Sequence, residues 1–198
     1  MGLLILGLLL SAFFGSAQES NSLDEPIGLN VGDTVTFFSA QNQFDSTFVL
    51  AEALADGLVI VVFYRGQWCP YCNRHLSELQ ENLELIEERG ATIIAISPEN
   101  QEGLNKTKEK SNLEFTLLSD ENYDICRAFD VLFVPSKADV KKYNAFLRAD
   151  LENAHSNENI LLPVPATFII DQNGIIVWRQ FDEDYKQRST VEEIIKNL

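Results

Sequence analysis

The chain has 198 residues, 45% of them hydrophobic, which is enough for one domain with a substantial core. Its formal net charge of −15 excludes the basic stripe that phosphate neutralisation requires, so nucleic acid is not an expected partner and the acidic surface is read as favouring solubility. Three cysteines, two of them separated by only two residues, exclude a disulfide-stapled scaffold, whose bridges close longer loops.

Residues 1–17 (MGLLILGLLLSAFFGSA) carry no charged side chain, and their apolar run is short for a membrane span. A secretory signal peptide cleaved after Ala17 is expected, giving an exported protein, periplasmic or secreted. The missing Lys or Arg at its start leaves an uncleaved anchor as the alternative, and a membrane is an expected partner only if this segment is retained. Residues 18–33, with Pro26, Gly28 and Gly32, read as an arm leading into a domain over 34–198.

Residues 34–38 and 48–50 are short β-prone pieces, followed by a helical turn at 52–55 and a break at Asp56-Gly57. Residues 58–64 (LVIVVFY) form a continuous β-branched and aromatic run, as in a central strand covered on both faces. From 71 to 89, Leu76, Leu79, Leu83 and Ile86 recur at helical spacing, glutamates take the outer positions, and Gly90 ends the helix. Residues 91–97 are a second buried strand, 101–111 a polar helix, 115–118 a third strand and 122–129 a short helix. Residues 134–161 form a long polar insertion, partly helical around 140–151. Residues 166–171 and 175–181 flank Gln172-Asn173-Gly174, a strong hairpin signal, and a last helix covers 189–198. Strands alternating with helices imply parallel pairing by right-handed crossovers, closed here by an antiparallel pair: an α/β class with a central mixed sheet flanked by helices.

Cys69-Pro70-Tyr71-Cys72 falls between the first buried strand and the first long helix. The first thiol therefore sits at a helix amino terminus, where unpaired N–H groups and the helix dipole favour thiolate, the reactive form. Pro70 suits the first helical turn, and Cys72 lies one turn along, within disulfide reach of Cys69. Cys69 and Cys72 are the candidate catalytic pair. A zinc site would need His75 and then Cys126 or His155 as further ligands, and no second paired half-site is present, so no metal or cofactor is expected. Cys126 reads as a small buried apolar residue, and a resolving thiol is its other reading.

The segments Phe63-Tyr64-Arg65-Gly66-Gln67-Trp68-Cys69-Pro70-Tyr71-Cys72, Ala95-Ile96-Ser97-Pro98, Leu117-Leu118-Ser119-Asp120 and Leu162-Pro163-Val164-Pro165-Ala166-Thr167-Phe168 together resemble the peroxiredoxin-like branch of the alkyl hydroperoxide reductase and thiol-specific antioxidant family. The similarity runs from about Thr34 to the end of the chain, including Phe181-Asp182-Glu183-Asp184-Tyr185. The resemblance implies a thioredoxin-like fold, a hydroperoxide substrate, and re-reduction by a thioredoxin-type dithiol donor. Aligned with that family, Cys72 takes the peroxide-reacting position and Cys69 replaces a hydroxyl residue, whereas helix position favours Cys69 as the attacker; the order stays open. Arg65 stands where the family has a proline, and Pro165 where it has an arginine.

Pro165 also resembles the cis-proline that faces the dithiol in thioredoxins, and with Arg65 and Trp68 it makes up the expected substrate-binding set. Arg65 either lowers a thiol pKa or orients a peroxide, or it is a solvated surface residue; Trp68 packs beside the dithiol or serves the core; His75 is expected on the helix surface. A thiol peroxidase is the leading function. Exchange of disulfides on exported proteins is the first alternative, and a non-catalytic zinc-stabilised binding module the second.

Overall fold

The computed structural model describes residues 25–155 and 160–198, so the expected signal peptide, and the part of the arm before Glu25, lie outside the described residues. A five-stranded sheet forms the centre, in the order β5 (Thr116–Ser119), β4 (Ala91–Ser97), β3 (Leu58–Phe63), β8 (Ala166–Ile170), β9 (Ile176–Phe181). The β3–β4 and β4–β5 pairs are parallel, and β3–β8 and β8–β9 are antiparallel, giving the expected mixed sheet.

Alternation along β3 builds two cores. Ile60 and Val62 point to one face, where Cys69, Cys72, Leu76, Leu79 and Ile86 pack. Val59, Val61 and Phe63 point to the other, where Phe63, Phe129 and Phe168 stack at 5.1, 5.3 and 6.0 Å between centroids and Cys126 is enclosed. Cys126 is thus buried as expected, in the core opposite the dithiol, away from any role as its resolving partner or shared metal ligand.

The helix expected over 71–89 is two helices, α2 (Pro70–Glu81) and α3 (Leu83–Glu87). They meet at Asn82, whose backbone (φ −117°, ψ 16°) leaves the helical region while its side chain donates to the Glu78 carbonyl. The apolar stripe survives the break, because Leu79, Leu83 and Ile86 remain buried. The strand expected at 34–38 is displaced to β1 (Ser39–Gln41), paired with β2 (Thr47–Val49); Thr34 makes an isolated bridge with Ile175. Helix α1 (Leu50–Asp56) then leads into β3.

Beyond β4, α4 (Gln101–Ser111) is capped by Asn100, whose side chain accepts from the Gly103 N–H, and α5 (Asp124–Ala128) follows β5. The insertion holds α6 (Lys137–Leu147), capped by Ser136, and α7 (Leu151–Ala154). Its ends are tied by a short ladder of β6 (Leu132–Phe133) with β7 (Leu162–Pro163), which no hydrophobic period in so short a stretch announces. The β8–β9 turn forms as expected: the Asp171 carboxylate accepts from the N–H groups of Asn173 and Ile175, both at 2.9 Å, and Gly174 takes φ +77°. Helix α8 (Val191–Lys196) closes the chain through a capping box between Thr190 and Glu193.

Candidate redox site

The end of β3 delivers Tyr64 and Arg65 to a turn over Gly66-Gln67-Trp68, which ends at Cys69, the N-cap of α2. The Cys69 N–H donates to the Gly66 carbonyl at 3.0 Å, and its carbonyl accepts from the Asn73 N–H at 3.0 Å, so the first sulfur is fixed at the helix start. Pro70 at the first helical position leaves no N–H unpaired. Cys72 follows within the first turn of α2 and packs in the same buried cluster as Cys69.

Each sulfur has its own guanidinium. Arg65 Nη2 lies 3.7 Å from Cys69 Sγ, and Arg188 Nη2 lies 3.5 Å from Cys72 Sγ. Arg65 is buried, contrary to its reading as a solvated residue: Nη1 donates to the Tyr143 hydroxyl at 3.1 Å, and the guanidinium lies 3.9 Å from the Tyr185 ring centroid, 5.0 Å from Tyr143 and 5.2 Å from Trp68. Three aromatic rings surround this cation, and among the described residues it forms no salt bridge.

Arg188 is placed by a polar chain in which His75 Nε2 contacts Ser189 Oγ at 3.1 Å and Ser189 Oγ contacts Thr167 Oγ1 at 2.9 Å. This corrects the surface reading of His75: the side chain is buried on the inward face of α2, where it anchors the segment before α8 to the sheet.

The two thiols are pushed apart in acidity. The hydrogen bond from Cys72, followed by the positive charge of Arg65, overcomes burial and brings the Cys69 thiol down to about 6. Burial, and then the neighbouring Cys69 sulfur, push Cys72 well above the ordinary thiol value, although Arg188 and Arg65 pull the other way. The arrangement favours one thiolate, on Cys69, hydrogen-bonded by a protonated Cys72.

Both sulfurs are shielded, with Cys69 0% and Cys72 1% exposed. Trp68 and Tyr143 pack with centroids 5.1 Å apart, and Tyr71 meets Tyr185 edge-on at 5.5 Å, forming an aromatic roof drawn from the dithiol loop, α2, the insertion and the segment after β9. Arg65, Trp68, Cys69 and Cys72 are therefore brought together as the sequence indicated. Pro165 is not a cis-proline: its peptide bond is trans, and the residue is buried at the junction of β7 and β8. With Leu162 and Pro163 paired to β6, the chain enters β8 extended and needs no cis turn there. Tyr143, Tyr185 and Arg188 were missed, because an isolated tyrosine or arginine in a polar segment carries no periodic signal.

Residues 31–179 match the AhpC/TSA family. Peroxiredoxin Bcp of Escherichia coli (strain K12) is 33% identical over 103 residues, which are 52% of this chain and 65% of that protein. The matched region thus spans just under two thirds of that relative's length. Peroxiredoxin Bcp of Bacillus subtilis (strain 168) is 30% identical over 142 residues, 71% of this chain and 76% of the relative. Among solved structures, peroxidoxin BcpB from Mycobacterium tuberculosis superposes with a TM-score of 0.66 at 19% identity, covering 85% of this chain and 96% of that one. A peroxiredoxin-like protein from Aquifex aeolicus gives a TM-score of 0.65 at 18% identity, covering 85% of each chain. Those two likenesses establish the thioredoxin-like fold, and the family match over residues 31–179 establishes more: this chain belongs to the AhpC/TSA family.

Proposed function

We propose that the protein is a thiol-dependent peroxidase in which Cys69 attacks the peroxide and Cys72 resolves the product. The observation that carries this reading is the placement of Cys69 at the N-cap of α2 with Arg65 Nη2 3.7 Å from its sulfur, which favours its thiolate, while burial holds the Cys72 thiol up. The Cys69 thiolate attacks the outer oxygen of a hydroperoxide, the O–O bond breaks, and the alkoxide takes a proton to leave as alcohol, giving a sulfenic acid on Cys69. Cys72 Sγ then attacks Cys69 Sγ; its proton and the sulfenic hydroxide leave as water, and a Cys69–Cys72 disulfide remains. A dithiol donor of the thioredoxin type returns both thiols to the reduced state and becomes a disulfide itself. Because both sulfurs are covered, the aromatic roof has to part for peroxide and donor alike. Export of the mature chain after cleavage at Ala17 belongs to the same proposal, and sequencing the amino terminus of the natively produced protein tests it.

Disulfide exchange on exported proteins is supported by the position of Cys69 at the helix N-cap. It is disfavoured by the trans Val164–Pro165 bond, which leaves the dithiol without the facing cis-proline of thioredoxins. The zinc-stabilised reading is disfavoured by Cys126 lying across the sheet and by His75 being committed to Ser189.

Rapid mixing of the reduced protein with hydrogen peroxide, an alkyl hydroperoxide and a protein disulfide discriminates among these readings. Cys72→Ser, which retains a hydroxyl donor beside Cys69, is expected to react with peroxide and accumulate sulfenic acid, whereas Cys69→Ser loses roughly 100-fold or more in rate. Slow peroxide reaction with fast disulfide exchange would reverse the choice, and fast reaction of Cys69→Ser would exchange the roles of the two sulfurs.

A further inference from the structure

Glu99, two residues beyond β4, is a fully buried carboxyl group for which the peroxidase scheme has no use. Its two carboxylate oxygens both accept from the Gln67 N–H, at 3.0 and 2.9 Å, and the Thr107 hydroxyl donates to one of them at 3.4 Å. Its own backbone is pinned as well: the N–H donates to Ser97 Oγ at 3.2 Å, and the carbonyl accepts from Ser119 Oγ at 2.7 Å.

Two glycines make room for the side chain. A Cβ on Gly66 would stand 2.6 Å from Glu99 Oε1, and one on Gly103 would stand 2.7 Å from Glu99 Cβ. Gln67 and Glu99 also line a cleft of about 100 Å³ beside α4 and α7. A buried acid with dedicated space and both carboxylate oxygens on the turn before Cys69 is more than a packed side chain requires.

We propose that Glu99 is a positioning residue of the redox site: it clamps the Gly66–Trp68 turn through the Gln67 amide and so holds Cys69 at the start of α2. The clamp acts on Cys69 through the Gly66 carbonyl, which accepts the Cys69 N–H. Burial, with a smaller contribution from Cys72, pushes the Glu99 carboxyl up to about 8 against the pull of the Gln67 amide, Thr107 and Lys110.

Other titratable groups surround the carboxyl. Tyr64, at the end of β3, is held neutral by burial and then by Glu99 itself. From α4, Lys106 is paired with Glu102 at 2.6 Å, and Lys110 donates to the Gln67 carbonyl at 3.1 Å; Asp150 lines the cleft at the surface. The inference rests on the dithiol being the reacting centre, and it does not depend on which oxidant that centre meets.

The test is the rate of Cys69 alkylation by iodoacetamide in the reduced full chain from about pH 5 to about pH 10. Glu99→Ala removes the acceptor for the Gln67 N–H and is expected to slow alkylation roughly tenfold, whereas Glu99→Gln keeps a carbonyl acceptor there and is expected to restore most of that loss. Glu99→Leu, which keeps the volume and removes the acceptor, is expected to behave as the Ala variant and serves where that variant fails to fold. Wild-type alkylation in a folded Ala or Leu variant overturns the proposal. A chain that alkylates as stated yet ignores peroxide sinks the peroxidase reading and leaves the role of Glu99 intact.

Discussion

Arg65 supplies positive charge 3.7 Å from the Cys69 sulfur in a region with little water to screen it. Replacing it with an apolar side chain of similar length, Arg65→Met, removes that charge while the aromatic rings retain something to pack against. The Cys69 thiol is expected to ionise about one pH unit higher, lowering its alkylation rate roughly twofold at pH 7 and roughly tenfold at pH 5, as read from the pH dependence of the iodoacetamide reaction. Arg188→Met acts on the other sulfur: Cys72, already held protonated, is pushed further up, so the disulfide is expected to close more slowly after peroxide attack while the attack itself is spared. Accumulation of sulfenic acid in that variant checks the assignment.

At the scale of elements, the site depends on how β3, its turn and α2 are joined. Leu76 is fully buried against the face of the sheet that carries the dithiol, and Leu76→Ala is expected to cost about 3 kcal/mol in urea unfolding. Gly66 takes φ +142°, and a methyl group there would meet Glu99 Oε1 and Trp68 Nε1 within 2.7 Å. Gly66→Ala therefore strains the turn that sets Cys69, and both stability and alkylation rate are expected to fall. Thr190→Ala removes the capping box of α8 and is expected to cost about 1 kcal/mol without touching the thiols, which separates loss of stability from loss of chemistry.

For the whole molecule, buried titratable groups on both sides of neutrality shape the pH dependence of stability. His75 and His155 are pushed down to about 4, in each case first by burial, so the folded chain holds them neutral while the unfolded chain protonates them near 6.5. The unfolded state binds more protons between those values; stability therefore rises with pH across that window and is lost as pH falls from about 6.5 to about 4. Each histidine contributes on the order of 3 kcal/mol to that loss. Glu99 acts in the opposite sense. With its folded value raised from 4.5 to about 8, its contribution is complete below 4.5 and is lost as pH rises through 8. Cys69, brought from 9.0 down to about 6, adds stability as pH rises through that window and offsets Glu99 above about pH 6.5. Urea titrations are therefore expected to show stability rising to about pH 6.5 and then levelling, with the acid limb flattened in His75→Phe and the gain between about pH 5 and about pH 8 enlarged in Glu99→Gln.

The sequence by itself determined the sheet's central strands, the class of fold and the position of the dithiol. These depend on local composition: a run such as Leu58-Val59-Ile60-Val61-Val62 can be buried only as a covered strand, and Cys69-Pro70 is suited to a helix start wherever it occurs. Only the tertiary structure brings a guanidinium to each sulfur and rings around Arg65, because Arg65, Arg188, Tyr143 and Tyr185 come from separate segments whose approach no local pattern encodes. The burial of His75 and the trans bond at Pro165 are of the same kind. Each depends on what the rest of the chain packs against it, Ser189 and Thr167 in one case and the β6–β7 ladder in the other.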